Sequence, residues 1–381
     1  MKYFNLEEYL QQLKLLVNID SGSKMPEGTG KIADYLEEQY KALGLSVIRR
    51  QVSDAVGPCL EIRNRPESER IDLLLMGHMD TVFPAGTVEK RPFTVEEGYA
   101  YGPGVMDMKG GLVSMLFLVR EILGEGLDLS VCVAMNSDEE ISSNASKEWI
   151  KELARRAEYA FVMEPGRKNG EYVCERKGLA KFHVKATGIA AHAGVAPWDG
   201  ASAIHELAHM ILKIINLTNR ERGTNINVGT ITGGTAPNVV SRYAECLIDT
   251  RFDEIAEYEK IEKTLEELAG NPADTRVKIE CIREGFRPPM RMTERTKKLM
   301  RWMDEKGADL GMAVKWVKTG GVSDGNFVAF EGCAVIDGVG PAGDGAHSDR
   351  EILQVGTVEK RLELALETVR EIEKEAGKEG V

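Results

Sequence analysis

The sequence has no excess of basic residues: 49 lysines and arginines stand against 61 aspartates and glutamates, a net charge of −12. A protein that binds nucleic acid or an anionic membrane needs basic side chains to neutralise phosphate groups. We therefore predict that neither nucleic acid nor a membrane surface is a partner of this protein.

Long apolar runs are also missing. The most apolar helical run, residues 112–119, is too short to span a bilayer and is bounded by Lys109 and Arg120. Residues 1–16 mix charged and apolar side chains and lack the uninterrupted apolar stretch of a signal peptide. These patterns predict a cytoplasmic protein without a membrane span.

Closely spaced cysteines are absent as well, since none of the six cysteines forms a Cys-x-x-Cys pair. Most of them lie inside apolar, strand-like runs, where a free thiol behaves as a small hydrophobic side chain. Together with a cytoplasmic location, this predicts reduced thiols rather than a disulfide framework.

The length and the apolar periodicity predict a two-domain α/β protein. A chain of 381 residues exceeds a typical single domain, and 43% hydrophobic with 29% charged residues is usual for soluble proteins. Helical spacing covers residues 6–18 and 29–43, and a further helix is expected over 110–123, ending at Gly124. Strand-like runs alternate with these helices up to residue 163, which predicts a doubly wound, mostly parallel sheet.

The pattern changes at residue 178, where apolar and polar residues begin to alternate as in an antiparallel strand. The expected elements from there are strand 178–187, helix 201–217, strands 225–232 and 239–251, helix 255–269 and strand 276–283. This order is that of a ferredoxin-like α+β unit. We therefore predict a discontinuous catalytic domain of residues 1–177 and 288–381, interrupted by an inserted domain of residues 178–287.

Four short apolar runs of the predicted catalytic domain each lead into a segment that carries His, Asp or Glu. The residues at these ends are His78 with Asp80, then Asp138-Glu139-Glu140, then Glu164 and, after a glycine-rich stretch, His347. Ligands of open α/β sheets bind just beyond the carboxyl ends of the strands, so we expect these side chains to meet at one edge. Because imidazole and carboxylate groups are metal ligands, the pattern indicates a metal-dependent enzyme.

Each of these motifs also has a structural interpretation. Asp80 can orient a metal-bound His78, or it can satisfy a buried histidine that binds nothing. Asp107, just before a helix, suits both a metal ligand and a helix cap. The turn with Glu139 and Glu140 is either a solvated acidic turn or a set of repelling carboxylates that a divalent cation stabilises.

Taken together, the candidate ligands are two histidines and three carboxylates, with one further glutamate available as a base. That set suits two tetrahedral zinc ions that share a bridging aspartate, each also bound by one histidine and one terminal carboxylate. Nitrogen and oxygen ligands without thiolate favour Zn²⁺, with Co²⁺ or Mn²⁺ as alternatives.

The motifs resemble, in their order along the chain, the M20 family of co-catalytic zinc peptidases and deacylases. The motifs are His-x-Asp, Gly-x-x-Asp-x-Lys-Gly-Gly, Asp-Glu-Glu, Glu-Pro and a late histidine. The segments of residues 77–82 and 100–104 are most similar to the glutamate carboxypeptidase (carboxypeptidase G2-like) branch. The similarity extends over essentially the whole chain, including the inserted domain. Met108 stands where many relatives have a second acid, which leaves Asp107 in place.

The resemblance implies a role for each motif residue. Asp107 would bridge the two ions, and the remaining ligands would be His78 with Glu164 for one ion and Glu140 with His347 for the other. Glu139 would be the general base and Asp80 would orient His78. The inserted domain would serve as lid and dimerisation domain of a homodimer, in which His192 reaches the partner's active site and stabilises the developing oxyanion.

Residues that contact the substrate are suggested by position. Asn238 and Arg287 resemble the family's carboxylate-binding positions, and an Arg side chain can bind a carboxylate through two hydrogen bonds. Backbone N–H groups around Gly320, Gly321 and Ser323 could bind the same anion at a helix N-terminus. Turn-forming or surface roles remain equal alternatives for Asn238, Arg287 and Ser323.

We therefore expect a zinc-dependent hydrolase that cleaves an amide bond next to a free carboxylate in a small peptide or N-acyl amino acid. The family branch favours a carboxypeptidase that releases C-terminal glutamate or a similar amino acid. The alternatives are a dipeptidase, or an N-acyl amino-acid deacylase similar to acetylornithine deacetylase or succinyl-diaminopimelate desuccinylase. A binding protein without activity is a further alternative, against which the presence of Glu139 argues.

A competing metal motif lies in the inserted domain. His205-Glu206-Leu207-Ala208-His209 matches the H-E-x-x-H pattern of single-zinc peptidases. The apolar stripe expected for this helix, Ile204, Leu207, Ala208, Ile211 and Ile215, lies mainly on another face, so both histidines look peripheral. We interpret them as surface or interface histidines.

Overall fold

A computed structural model describes residues 1–379, and the helices and strands below lie within that range. The helices are α1 Leu6–Val17, α2 Pro26–Ala42, α3 Thr87–Lys90, α4 Gly110–Glu125, α5 Lys147–Ala154, α6 Ala203–Ile215, α7 Ile255–Gly270, α8 Glu294–Asp309, α9 Gly325–Phe330 and α10 Val358–Glu379. The strands are β1 Ser46–Arg50, β2 Cys59–Arg63, β3 Ile71–His78, β4 Thr94–Glu96, β5 Tyr99–Tyr101, β6 Val131–Asn136, β7 Ala157–Val162, β8 Pro165–Gly166, β9 Tyr172–Arg176, β10 Gly178–Thr187, β11 Asn225–Gly233, β12 Tyr243–Phe252, β13 Lys278–Arg287, β14 Trp316–Thr319, β15 Ala334–Asp337, β16 Gly340–Asp344 and β17 Ile352–Gln354. In the described part of the chain, none of the helices combines the length and the apolar character that crossing a membrane requires.

The described chain forms two compact units. The first, which we call the catalytic unit, comprises residues 1–175, 290–319 and the described residues from Ser323 onward. The second, which we call the inserted unit, comprises residues 176–289 together with 320–322.

The catalytic unit is built on an eight-stranded mixed sheet in the order β1-β2-β6-β3-β7-β15-β9-β14. Its four central strands, β6, β3, β7 and β15, are parallel, whereas β1, β2 and β9 pair in antiparallel fashion. Alternate residues of β3 enter different hydrophobic clusters: Leu73 and Leu75 belong to one, and Leu74 and Met76 to the other. Both faces of the sheet are therefore covered, as a doubly wound α/β fold requires.

A smaller sheet of the catalytic unit has the order β4-β5-β17-β16-β8. Its strands β16 and β17 are antiparallel, and the loop that joins them contains His347. Ile352 of β17 pairs with Tyr101 of β5, a few residues before Asp107. This pairing brings the segments of Asp107 and His347 together.

Several helix boundaries differ from those expected; α6, for example, covers Ala203–Ile215 rather than residues 201–217. Helix α2 begins at Pro26 rather than at residue 29, because proline suits the first helical turn, where its missing N–H group is not needed. Helix α4 continues past Gly124 to Glu125, and the left-handed residue that ends it is Gly126, with φ of 71°.

The inserted unit is a four-stranded antiparallel sheet in the order β11-β12-β10-β13. Helices α6 and α7 supply its hydrophobic core together with alternate residues of the strands. The element order β10-α6-β11-β12-α7-β13 is the ferredoxin-like order expected from the sequence.

Candidate functional site

The parallel strands of the catalytic unit bring the predicted ligands to one edge of the sheet. His78, the last residue of β3, pairs with Asn136 at the end of β6, and Met76 pairs with Val162 at the end of β7. The segments that follow β6 and β7, which carry Glu139, Glu140 and Glu164, therefore leave the sheet beside His78.

Asp107 lies between the two histidines. Its Oδ1 is 3.2 Å from Nε2 of His78, and its Oδ2 is 3.1 Å from Nε2 of His347. The two oxygens of one carboxylate thus face two imidazoles that are 269 positions apart in the chain (347 − 78). This is the arrangement that a bridging carboxylate needs.

Each imidazole has a second carboxylate neighbour. Nε2 of His347 is 3.2 Å from Oε2 of Glu140, and Nε2 of His78 is 3.6 Å from Oε1 of Glu164. Potential ligand atoms of His78, Glu139 and Glu164 all lie within 4.8 Å of one another, as do those of His78, Asp107 and Glu140. The side chains predicted from the separate motifs therefore form one cluster.

The electrostatics of this cluster reflect charges that share a poorly hydrated site. Hydrogen bonds with Asp107 and Glu140 raise the pKa of His347 to about 11. Burial lowers the pKa of His78, but hydrogen bonds with Asp107 and Asp80 outweigh that effect and hold it well above the usual value. Burial raises the pKa of Glu140 and, more strongly, that of Glu164, where the charge of Asp107 adds to the effect. The carboxylates therefore require nearby positive charge to remain ionised.

His347 adopts an unusual backbone conformation, with φ of 62°. A non-glycine residue in this left-handed region is uncommon, and such strain persists where the surrounding structure enforces it, often at functional sites. Its neighbour Gly345 also has positive φ, and a Cβ there would lie 2.5 Å from the carbonyl oxygen of Arg350. This tight turn directs the His347 ring towards Asp107.

Asp80 organises more of the site than the sequence indicated. The nearest Asp80 atom to Nδ1 of His78 is the backbone carbonyl oxygen, at 2.9 Å, while the carboxylate is 3.4 Å away. The carboxylate instead accepts hydrogen bonds from the hydroxyl of Ser23 (2.6 Å) and from the backbone N–H groups of Glu139 and Glu140 (both 3.2 Å). Asp80 therefore holds the turn of the two glutamates beside His78.

Glu351 is a site residue that sequence reasoning missed. Its buried carboxylate accepts hydrogen bonds from the backbone N–H groups of Gly104 (2.8 Å), Met106 (3.0 Å) and Asp107 (3.0 Å). Burial raises the pKa of Glu351 to about 7. In the sequence it ends a polar stretch, Asp349-Arg350-Glu351, whose composition indicates only an exposed loop.

The cluster fits a divalent cation. Its donors are imidazole nitrogens and carboxylate oxygens, the ligand types that zinc accepts, and Oε1 of the half-buried Glu140 is a buried atom without a hydrogen-bond partner among the described residues. Metal bonds of roughly 2.0–2.1 Å in a tetrahedron place neighbouring ligand atoms about 3.3 Å apart. The four separations given above, from 3.1 to 3.6 Å, agree with that spacing.

Two of the predicted substrate-side residues lie together in the inserted unit. His192 is exposed and pairs with Val239 in an isolated β-bridge, and the N–H of Ala193 donates to the carbonyl oxygen of Asn238 at 2.9 Å. Arg287, at the end of β13, is almost completely buried. All three residues lie in the inserted unit, and their substrate contacts stay a prediction.

The glycine segment before α9 is used partly by the fold itself. The carbonyl oxygens of Gly320 and Gly321 accept hydrogen bonds from Arg251 (3.0 Å) and Arg176 (3.3 Å). Ser323 is fully buried and its hydroxyl donates to the carboxylate of Asp337. The backbone N–H of Ser323, the group expected to bind an anion, donates to Oδ1 of Asn326 at 3.0 Å, which favours the turn-forming alternative for this residue.

The competing H-E-x-x-H motif lacks a third potential ligand among the described residues. His205 and His209 are both exposed on α6, and neither belongs to a group of three potential ligands in the described part of the chain. Glu206 is buried, and its carboxylate accepts hydrogen bonds from the backbone N–H groups of Ala273 (2.8 Å) and Asp274 (3.0 Å). The interpretation of both histidines as surface residues is supported.

The buried face of α6 is not the one expected. It consists of Ala203, Glu206, Leu207, Met210 and Ile214, whereas Ile204, Leu212 and Ile215 are exposed. The expected stripe was right for Leu207 and Ile211, which contribute to the core, and wrong for Ile204, Ala208 and Ile215, which are exposed.

Comparison with known proteins gives a consistent family. The profile of Peptidase family M20/M25/M40 matches residues 74–371. Carboxypeptidase G2 of Pseudomonas sp. (strain RS-16) is 31% identical over 372 residues, 95% of this chain and 89% of that protein. Succinyl-diaminopimelate desuccinylase of Methylorubrum populi is 26% identical, with 89% of this chain and 92% of that protein covered.

The solved structures agree on the fold. The crystal structure of aminopeptidase PepT from Bacillus cereus superimposes with a TM-score of 0.78 at 24% sequence identity, covering 97% of this chain and 99% of that one. The predicted α/β class is thereby confirmed. With a family profile over most of its length and a relative above 30% identity, the chain belongs to peptidase family M20/M25/M40 and is a metallopeptidase.

Proposed function

We propose that this protein is a di-zinc carboxypeptidase that releases C-terminal glutamate or a similar amino acid from a small peptide or N-acyl amino acid. The observation that carries the proposal is the position of Asp107, whose two carboxylate oxygens each face one imidazole. The similarity to carboxypeptidase G2 supports the choice of a carboxypeptidase among the family's activities.

Each residue of the cluster would have its own role in metal binding or proton transfer. Asp107 would bind both ions, with His78 and Glu164 on one of them and Glu140 and His347 on the other. When bound, the ions would polarise the scissile carbonyl group and lower the pKa of the attacking water to about 7. Glu139, held beside His78 through its N–H bond to Asp80, would take the proton from that water and pass it to the leaving nitrogen.

The free carboxylate of the substrate would be recognised by Arg287 and Asn238. Arg287 carries a buried guanidinium group. A buried guanidinium forms strong, directional bonds with a carboxylate, and Asn238 could add a further donor. Backbone N–H groups at Gly320 and Gly321 remain candidates for the same anion.

We further propose a homodimer through the inserted unit, with His192 serving the partner's active site. Large apolar side chains are exposed on two elements of this unit. Leu212 of α6 is 62% exposed, and Ile231 of β11 is 56% exposed. A second chain would cover such side chains, but single exposed apolar residues also occur on monomers, so the proposed dimer depends on the family resemblance.

An N-acyl amino-acid deacylase is the second candidate, because the succinyl-diaminopimelate desuccinylase similarity extends over 89% of the chain. Such an enzyme would use the same metal ligands and the same base. Only the groups that contact the two ends of the substrate would differ.

A substrate panel tests the proposal. Peptides ending in Glu, Asp or Leu are compared with N-acetyl and N-succinyl amino acids, each with its C-terminally amidated counterpart. A carboxypeptidase should favour the free C-terminal glutamate, and amidation should lower kcat/KM by about one to two decades, since a charge-assisted hydrogen bond contributes roughly 1.5–3 kcal/mol. Equal cleavage of the amidated and the free substrates would exclude a carboxypeptidase, and activity that survives chelation would exclude the metal mechanism.

A further inference from the structure

The catalytic unit has a cavity of about 400 Å³ that opens beside Glu140. Residues of three segments line it, and those on which the argument depends are Met25, Val82, Phe83, Pro84, Glu140 and Ile141. Its size falls within the range of pockets that bind small ligands. Because Glu140 belongs both to this wall and to the metal-ligand cluster, the cavity adjoins the proposed reaction centre.

The lining is mostly apolar and open to solvent, and it also includes the exposed Lys24. Val82 is 42% exposed and Ile141 is 38% exposed, although both side chains are large and hydrophobic. Exposed apolar surface that forms a concavity gains free energy when an apolar group covers it. The apolar part of the wall, formed by Val82, Phe83 and Ile141, is therefore suited to a hydrocarbon group.

Hydrogen bonds attach this wall to the cluster. Gly22 and Thr81 form a parallel β-bridge, with the N–H of Thr81 donating to the carbonyl oxygen of Ser21 at 2.9 Å. The hydroxyl of Ser23 donates to Asp80, and Asp80 also accepts the N–H of Glu140. A ligand in the cavity would thus be held at a defined position relative to Glu140.

Phe83 contacts the side chain of Arg91. The guanidinium group of Arg91 lies 4.8 Å from the centre of the Phe83 ring, and its Nη1 donates to the carbonyl oxygen of Ser348 at 2.9 Å. Ser348 directly follows His347 in the chain. The aromatic wall is therefore connected to the segments of both histidines, and a preformed pocket of this kind confers specificity.

We propose that this cavity binds an apolar acyl group of the substrate, so that the preferred substrates are amino acids or peptides whose N-terminal side carries an aliphatic chain of several carbons or an aromatic ring. The inference rests on the proposed amide hydrolysis. The leaving amino acid has a free carboxylate, which the apolar part of the wall around Val82 and Phe83 would desolvate without a partner, whereas the acyl part is neutral. The acyl side of the scissile bond is consequently the part that this wall accommodates.

The test uses N-acyl glutamates that differ only in the acyl group: acetyl, butanoyl, hexanoyl, benzoyl and succinyl. We expect kcat/KM to rise about tenfold or more from acetyl to hexanoyl, since each buried methylene group contributes to binding. Val82→Asp should reduce this hexanoyl-to-acetyl ratio at least several-fold, and Val82→Thr should do so if the aspartate variant does not fold. Val95→Asp is the matched control, because Val95 is 44% exposed in β4, outside the cavity, and this variant should keep the ratio.

Calorimetry separates the cavity from the reaction. Hexanoate should bind the zinc-loaded protein about tenfold more tightly than acetate, and Val82→Asp should remove the difference. An active enzyme with a flat acyl series, or one that prefers succinyl glutamate or dipeptides with a free amino group, would overturn this inference while leaving the proposed function standing. Tighter hexanoate binding without hydrolysis of any amide would support the cavity and overturn the proposed function.

Discussion

At the scale of single residues, the site depends on carboxylates that would be unfavourable without neighbouring positive charge. The carboxylate of Asp107 forms hydrogen bonds with both imidazoles. Burial would raise its pKa, but the hydrogen bonds with His347 and His78 outweigh desolvation and hold the pKa below its usual range. Glu140 and Glu164 have raised pKa values, with desolvation as the main cause. A divalent cation would stabilise all of these carboxylates at once, which explains why the donors converge on a small volume.

Glu139 and Glu140 are adjacent but should respond differently to the same substitution. Glu139→Gln should keep the metal content of the wild-type protein and lower kcat by about 10²–10⁴-fold, as loss of a general base implies. Glu140→Gln should lower the metal content, because it removes a proposed ligand. Metal analysis and steady-state kinetics on both variants check this, and full activity of Glu139→Gln would contradict the assigned base.

Glu351 should act as a positioning residue for Asp107. An amide at this position can replace only part of the acceptor capacity that three backbone N–H groups use, so Glu351→Gln should weaken metal binding by about 10–100-fold. Glu359→Gln is the control, since Glu359 is an exposed glutamate of α10. Metal titrations compare the metal affinities of the two variants with that of the wild type. An unchanged metal affinity in Glu351→Gln would refute the positioning role.

At the scale of elements, α6 shows how a sequence motif can be satisfied by packing alone. Glu206 faces the core and its carboxylate accepts hydrogen bonds from the turn around Ala273, while His205 and His209 are exposed. The spacing of a zinc motif is helical, so any amphipathic helix can contain it by chance.

The double variant His205→Gln/His209→Gln should therefore keep metal content and turnover within a few-fold of the wild type. His347→Gln, by contrast, should lose both, because His347 faces Asp107 and Glu140. Metal analysis of the purified variants compares them directly. Zinc lost from the double variant would mean that the motif on α6 binds metal after all.

Helices α8 and α10 are joined by an ion pair whose effect should depend on pH. A hydrogen bond from Lys298 holds the pKa of Glu375 below its usual range. The contribution of this ion pair to the free energy of unfolding is therefore fully present above the unfolded-state pKa of glutamate, about 4.3. It is lost as pH falls through the lower folded-state pKa of Glu375. Lys298→Gln should cost about 0.2–1 kcal/mol at pH 7, because the pair is partly exposed, and less at pH 3.

Urea unfolding of the metal-free protein at the two pH values measures this difference. Lys360→Gln on the exposed side of α10 is the control and should show no such pH dependence. A cost for Lys298→Gln that is the same at both pH values would rule out the ion pair as its origin.

At the scale of the whole molecule, the proposed residues are divided between the two compact units. All the metal-ligand candidates and Glu139 belong to the catalytic unit, whereas His192, Asn238 and Arg287 belong to the inserted unit. If His192 serves the neighbouring subunit, one polypeptide cannot complete its own active site.

Mixed dimers test that division. Glu139→Gln and His192→Ala chains should each be inactive alone, yet a mixed dimer would contain one site in which both residues are intact. Co-assembly should therefore restore a measurable fraction of the wild-type activity. Absence of activity in a sample shown to contain heterodimers would assign His192 to its own subunit's site or to none.

The local patterns of the sequence were sufficient to predict that the candidate ligands meet at one edge of the sheet. Buried parallel strands are recognisable as short apolar runs, and their carboxyl ends meet at one edge, so His78, Glu140 and Glu164 could be predicted to converge. The family resemblance was confirmed by the profile over residues 74–371 and by the carboxypeptidase G2 similarity. The antiparallel order of the inserted unit also followed from the alternation of its residues.

The remaining features were decided by tertiary structure. Glu351 bonds with the N–H of Gly104, 247 positions away in the chain, and no local pattern relates the two. The carboxylate of Asp80 contacts Ser23 and the turn of Glu140 more closely than the His78 ring, because two loops at the sheet edge bring their N–H and O–H groups to it. Sequence spacing determines which face of a strand or helix a residue occupies, whereas partners distant in the chain are determined by how those faces pack.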